Sequence, residues 1–302
     1  MSRTLMRVAM LTPEYVREGV PHGGLANYLS KICPLLKERG HCPVVFLLGD
    51  QNRESVIQGI QVTETKSPRM PECLRRRARG ADVLFEDYFG ARRLWKTFRR
   101  ACREVAFDIV HCASHRGVGS AVVGRLPIPV VVRLSSIPML WRCAEGTKTT
   151  LRDHMTDWLE LYQLQLADGV FAPSHLLADY AHKLFGVKAC VIRSPFFIPP
   201  EEEDASVYEE HLAGKNYLLF FGKLHRRKGA DVIADALPKI FADFPGIHVA
   251  FVGSALSHIT PGQTIGEYVL ARARGRRSQV HLLGILPRRC LLPIIRNATL
   301  VV

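Results

Sequence analysis

Residues Tyr217 to Gly229 read YLLFFGKLHRRKG: an apolar run, a glycine, then Lys223, His225, Arg226, Arg227 and Lys228 ahead of a helical pattern. Cations gathered with a helix N-terminus at the carboxyl end of a strand suit a diphosphate, because the unsatisfied N–H groups and the ammonium charges both favour an anion. The same residues also fit a solvated basic loop capping a helix. A second phosphate-sized approach follows His22, where Gly23 and Gly24 let the backbone come close to a ligand ahead of another helix. That pair equally serves as a tight strand-to-helix turn. Cysteines stand at Cys33, Cys42, Cys73, Cys102, Cys112, Cys143, Cys190 and Cys290, none in C-x-x-C spacing, so they read as reduced thiols rather than a metal or redox site. A reducing, cytoplasmic compartment is the expectation that follows.

These residues need a scaffold, and its pattern is α/β. Short apolar runs at Val8 to Leu11, Pro43 to Leu48, Asp108 to Cys112, Val130 to Leu134, Gly169 to Ala172 and Ala189 to Ile192 alternate with helix-length stretches. This is the signature of an open, doubly wound parallel sheet. At Pro199 the chain turns acidic and proline-led, PPEEEDASVYEEHLAGK, and residues 199–216 are expected to be a linker between a first domain, 1–198, and a second, 217–302. The alternation then restarts: strands at Tyr217 to Phe221, His248 to Val252 and Val280 to Leu283, helices at Ala230 to Phe244 and Leu291 to Asn297. Ala298 to Val302 reads as a core strand with nothing after it, and a complete doubly wound half carries about five or six strands. The second domain is therefore expected to be C-terminally truncated; a minimal domain with a buried final strand is the alternative.

Lysine and arginine number 41 against 28 aspartates and glutamates, a net charge of +13, which favours anionic partners without choosing among them. On a helical wheel Arg92, Lys96, Arg99, Arg100 and Arg103 fall on one side, opposite Leu94, Trp95, Phe98, Ala101, Cys102 and Val105. Such a helix fits either an anionic membrane surface or the outside of a globular domain. Arg75, Arg76, Arg77 and Arg79 precede it. Apart from Trp95 and Phe98, turned inward, the cations lack the interleaved aromatics that base stacking needs, so no nucleic-acid partner is expected. No run has the length of a membrane span.

The order and spacing of PHGGLANYL, DIVHCAS, ADGVFAPSHLLADYAHKLFGV, IRSPF, FFGKLHRRKGADVIADAL, VAFVGSA and VHLLGILPRRCLLPIIRNATLVV resemble family 4 glycosyltransferases of the GT-B fold over nearly the whole chain. The resemblance implies two Rossmann-like domains and transfer of a sugar, of hexosyl type and with retention of configuration, from a nucleotide-sugar donor to a carbohydrate, lipid-linked or small-molecule acceptor. It places Gly222, Lys223 and Lys228 at the donor diphosphate, Gly23 and Gly24 facing it, and Gly253 and Gly284 beside the nucleoside. On the acceptor side it implies His111, His115, Arg133 and Ser135. Two lysine charges would neutralise the leaving diphosphate without a metal or other cofactor. Lipid-linked acceptors would give the basic helix a peripheral membrane role.

Departures from the family pattern are visible. Arginine usually stands where Lys223 does, and lysine lacks its bidentate fork, which predicts weaker donor binding. Ser135 and Ala113 occupy positions where many relatives carry histidine, and the glutamate-bearing segment that follows the last strand in relatives is absent from this sequence. The alternative function is accordingly a catalytically incomplete glycosyltransferase-like binding protein.

Overall fold

The computed structural model describes residues 5–16, 23–75, 81–195 and 202–302, which group into two compact units, Met1–Phe196 and Phe197–Val302. In the first, eight strands form one sheet: β1 (Arg7–Thr12), β2 (Cys42–Gly49), β3 (Arg53–Ile57), β4 (Ile60–Lys66), β5 (Ile109–Ala113), β6 (Val130–Arg133), β7 (Gly169–Ala172) and β8 (Cys190–Val191), in the order β3-β4-β2-β1-β5-β6-β7-β8. Its helices are α1 (Gly24–Glu38), α2 (Glu72–Arg75), α3 (Ala81–Glu104), α4 (Pro138–Glu145), α5 (Leu151–Leu166) and α6 (His175–Phe185). Strands β1 and β2 are buried along almost their whole length, as parallel strands covered on both faces must be. Helix α1 presses Leu25, Tyr28, Leu29 and Cys33 into that core at helical spacing.

Helix α3 meets the wheel pattern. Leu94 and Phe98 are buried, Phe98 lying edge-on to Phe46 at 5.2 Å, while Arg92, Lys96, Arg99, Arg100 and Arg103 are exposed. Among the described residues no helix is long and apolar enough to cross a membrane. Arg76, Arg77 and Arg79 lie outside the described residues, as does His22.

One pair breaks the parallel rule: β3 and β4 run antiparallel, joined by Gln58 and Gly59 at φ +53° and +72°. Positive φ at both central positions gives the turn whose twist matches the flanking strands. The hairpin is absent from the sequence expectation because β3 is mostly exposed and reads as polar.

The second unit holds β9 (Tyr217–Phe221), β10 (His248–Val252), β13 (Val280–Gly284) and β14 (Leu300–Val301) in a parallel sheet ordered β13-β10-β9-β14, with a small hairpin of β11 (His258–Thr260) and β12 (Gln263–Thr264). Around them lie α7 (Ser206–His211), α8 (Ala230–Asp243), α9 (Ile265–Arg272) and α10 (Arg288–Arg296). One cluster joins Phe220, Leu237, Phe241, Phe251 and Val269; another joins Leu212, Tyr217, Leu219, Val252 and Ile294. Two separate clusters sharing strands β9 and β10 show a sheet covered on both faces.

The linker expectation for 199–216 requires correction. Its described part carries α7, Val207 and Tyr208 pack on the second cluster, and Leu212 is fully buried. Glu203 pairs with Arg296 at 2.7 Å and the Asp204 carboxylate lies 3.8 Å from Arg289. The acidic run is thus an integral part of the second unit, facing the basic helix α10.

Tyr217 is wholly buried, and its hydroxyl donates to the Ile294 carbonyl at 2.6 Å, one of the last four of α10, which have no partner inside their helix. Tyr217→Phe should lower the stability of the second unit by about 1–2 kcal/mol, read as a lower urea midpoint at unchanged slope.

Candidate functional site

At the carboxyl edge of the second sheet three strands end in glycine. Gly222, Gly253 and Gly284 have φ of +123°, +139° and +70°. The N–H of Gly222 donates to Val252 O at 2.8 Å and that of Gly253 to Gly284 O at 2.6 Å. A Cβ on Gly253 would stand 1.9 Å from the Gly222 carbonyl oxygen, so the crossing tolerates no side chain.

The chain then passes through the buried Leu224 and a single tight turn, Arg226–Lys228, before Gly229, at φ +74°, leads into α8. His225 opens this turn by accepting the Arg227 N–H at 3.4 Å. Arg226 is engaged by Asp231, Nε to Oδ2 at 3.2 Å. Lys228 instead folds back: its Nζ lies 3.6 Å from the place a Gly222 Cβ would take. Lys223 is exposed beside it in sequence, and among the described residues neither lysine has a carboxylate partner. The structure thereby gathers Gly222, Gly253, Gly284 and Lys228 at one edge, an arrangement suited to an anion.

The first unit has its own polar edge. Gly23 precedes α1 in an extended conformation, and the Glu14 carboxylate comes within 2.7 Å of where its Cβ would be; around Gly24 there is open space. Of the two glycines, Gly24 therefore offers the unobstructed backbone. His111 sits mid-strand in β5, 6% exposed, with Tyr28 stacked at 6.0 Å and Phe171 at 5.5 Å. Among the described residues neither of its ring nitrogens has a hydrogen-bond partner. Burial, then the neighbouring Arg133 charge, lowers its pKa to about 4.

His115 lies in the turn after β5, half-exposed, with Nδ1 3.8 Å from Glu160. Burial lowers its pKa, opposed by Glu14 and Asp87. Arg133 and Ser135 do come together, guanidinium to hydroxyl at 2.6 Å.

Sequence reasoning missed the acids behind this edge. Arg116, at φ +60°, donates its N–H to Glu160 at 2.9 Å and its Nε to the buried Asp87 at 2.5 Å. Gln163, fully buried, accepts from Gly119 N at 2.7 Å and donates to the Ser114 carbonyl. Asp153, Asp157 and Glu160 form an i, i+4, i+7 row in a basic chain, the one signal that pointed to them. Beside that row a cavity of about 200 Å³ is lined by Leu134, Ile137, Met139, Trp158, Glu160 and Leu164, among others. Among the described residues no group of three or more His, Cys, Asp or Glu is placed to hold a metal ion.

Two parallel-sheet units, one carrying a lysine over a glycine-edged strand crossing, define the GT-B class of glycosyltransferase folds. A family model described as a glycosyl transferase 4-like domain matches residues 23–194, and the chain belongs to that family. It is a glycosyltransferase. Comparison with curated proteins returns no match.

Among solved structures it is similar to sucrose-phosphate synthase from Thermosynechococcus elongatus, at 15% identity and TM-score 0.70 over 98% of this chain and 74% of that one. It is also similar to the catalytic domain of starch synthase IV from Arabidopsis thaliana bound to ADP and acarbose, at 12% and 0.65 over 99% and 78%. A third likeness is to Anabaena HepE in complex with UDP and glucose, at 17% and 0.61 over 99% and 73%. Identities this low establish the shared fold and no more.

Two predictions arise from this geometry. Gly253→Ala should cost on the order of 3 kcal/mol or more, through left-handed strain and overlap with Gly222. Gly246→Ala, at an open position with ordinary φ, should stay within about 0.5 kcal/mol; paired urea titrations decide it.

The second concerns pH. Burial pushes the Glu160 carboxyl up to about 8 from 4.5, so the stability contributed by its bound proton is complete below pH 4.5 and is lost as pH rises through about 8. The His111 contribution has the opposite sign, complete above pH 6.5 and lost as pH falls through about 4. Between pH 6.5 and 8 the Glu160 effect therefore remains, on the order of 2 kcal/mol. Glu160→Gln should flatten the fall in melting temperature over that window, measured by thermal unfolding at matched ionic strength.

Proposed function

We propose that the chain transfers a hexosyl group from a nucleotide-sugar donor to an acceptor, with retention of anomeric configuration. The second unit binds the donor's diphosphate at Gly222 and Lys228, with Lys223 adding charge, and the edge formed by Gly253 and Gly284 receives the nucleoside. The observation that carries this reading is the Lys228 ammonium folded over the bare Cα of Gly222 at the carboxyl edge of a parallel sheet. A cation held there, with no carboxylate to neutralise it among the described residues, is arranged for charge that grows on a leaving diphosphate. Likeness to proteins that hold ADP with acarbose, or UDP with glucose, supports a nucleoside diphosphate as the leaving group. Retention and the hexosyl class rest on the family resemblance of the motifs.

The two ammonium groups supply this neutralisation in place of a divalent cation, so transfer should persist in excess chelator. The first unit presents the acceptor, with His115, Arg133 and Ser135 at its sheet edge and Gly24 opening the start of α1. The exposed cations of α3 suit an anionic membrane surface that would bring a lipid-linked acceptor near, by charge attraction alone.

UDP, GDP or ADP at saturating concentration should raise the melting temperature of the wild-type chain for at least one base. Lys228→Ala should weaken that ligand roughly tenfold or more while leaving the unliganded melting temperature within about 2 °C, because Lys228 is exposed. Undiminished protection in the variant would remove the donor-site assignment.

A further inference from the structure

Among the described residues of the first unit, Arg116, Arg142 and Arg133 turn inward, and the first two carry acids. Arg116 holds Asp87 at 2.5 Å. Arg142 holds Asp157 and lies 3.6 Å from Asp153. Arg133, the most deeply placed at 5% exposure, carries none: among the described residues no carboxylate stands at salt-bridge distance from it. Its guanidinium carbon lies over the Tyr28 ring, 3.8 Å from the centroid. Nη1 donates to Ser135 Oγ at 2.6 Å, Nη2 donates to Ser194 Oγ at 3.0 Å, and Nε has no partner.

A buried cation without a counter-charge is costly to maintain, and a ring face offsets only part of that cost. The neighbouring His111 adds no negative charge.

The two hydroxyls show where the missing charge belongs. Each already accepts from the guanidinium, so its own hydrogen must point elsewhere. Ser194 is exposed and Ser135 half-exposed, so the arginine's charge reaches the surface as two polarised O–H donors. Ser135 is fixed from behind, its N–H donating to Ser114 Oγ at 3.2 Å. All of these groups sit at the carboxyl edge of the first sheet, where open α/β sheets receive ligands.

We propose that Arg133, Ser135 and Ser194 form an oxyanion subsite that reads a carboxylate or phosphate on the acceptor, making this an enzyme for acidic sugar acceptors. The word acceptor rests on the sugar-transfer reading above; the anion site stands on the first unit alone. The donor diphosphate has its own cations in the second unit, which leaves the Arg133 subsite for the other substrate.

The test uses the full chain and thermal shift with four probes: glucuronate, glucose 6-phosphate, glucose, and the nucleoside diphosphate that stabilises wild type best. Glucuronate or glucose 6-phosphate should stabilise the wild type and glucose should not. Ser194→Ala, at an exposed position, should weaken the acidic probe roughly tenfold. Arg133→Gln should abolish its effect and Arg133→Lys should restore part of it, all with the nucleotide shift intact. Should Arg133→Gln fail to fold, Ser194→Ala decides alone.

Equal shifts by glucose and glucuronate overturn the proposal, as does an acidic-probe shift unchanged in Ser194→Ala. Loss of the nucleotide shift in Arg133→Gln or Ser194→Ala also overturns it, by assigning the anion to the donor. A wild type that no nucleoside diphosphate stabilises sinks the transfer reading, while a serine-dependent glucuronate shift still upholds the anion site.

Discussion

Strands β9 and β10 end so close together that the Gly222 carbonyl oxygen occupies the space next to the Gly253 Cα, 1.9 Å from where a side chain would begin. That approach governs the polar edge of the second unit. Because Gly253 yields, the Gly222 N–H can bond Val252 and the Leu224 N–H can bond Ser254, extending the ladder beyond the last regular residue of β9. Lys228, though exposed, lies over the bare Cα of Gly222. A side chain at Gly253 would separate the strand ends. The tight turn at Arg226–Lys228, closed by the left-handed Gly229, then carries Lys228 back to this edge.

Much of this was legible in the residues. Tyr217–Phe221 and His248–Val252 are strands with the bounds that their apolar runs suggest, because a parallel strand covered on both faces leaves a short, unbroken hydrophobic signature. Gly222 and Lys228 were equally readable, since a glycine and a lysine close in sequence need only one turn to meet. What was hidden depends on distance along the chain. The acidic segment read as a linker because its partners, Arg289 and Arg296, stand more than eighty residues away. The hairpin of β3 and β4 was hidden for another reason. One of its strands has little to bury, and periodicity arguments follow burial.

The first unit shows the limit more sharply. Its site edge is set by contacts forty-four residues apart: Arg116 with Glu160, and Gly119 with Gln163. No local spacing announces them. His111, by contrast, was visible in the sequence while its surroundings were not, since a histidine in a strand reads alike whether its ring meets solvent or Tyr28. The face it occupies is fixed by the register of β5 against β1, Met10 opposite His111, and register is a property of the sheet.

Helix α5 emerges as a template for the chain that leaves β5. Gly117 backs onto Leu159 so closely that a Cβ would stand 2.7 Å from its side chain. Glu160 anchors the left-handed Arg116, and Gln163 satisfies one N–H and one carbonyl of the same passage. These are backbone groups that a loop would ordinarily leave to water. Burying one acid and one amide on α5 makes physical sense only if the passage must hold one shape, since an apolar α5 face would bury as well but could not fix the turn. Glu160 therefore serves positioning, and the cations at this edge differ in their partners: Arg116 and Arg142 meet carboxylates within the fold, while Arg133 meets hydroxyls and a ring face and, among the described residues, no carboxylate.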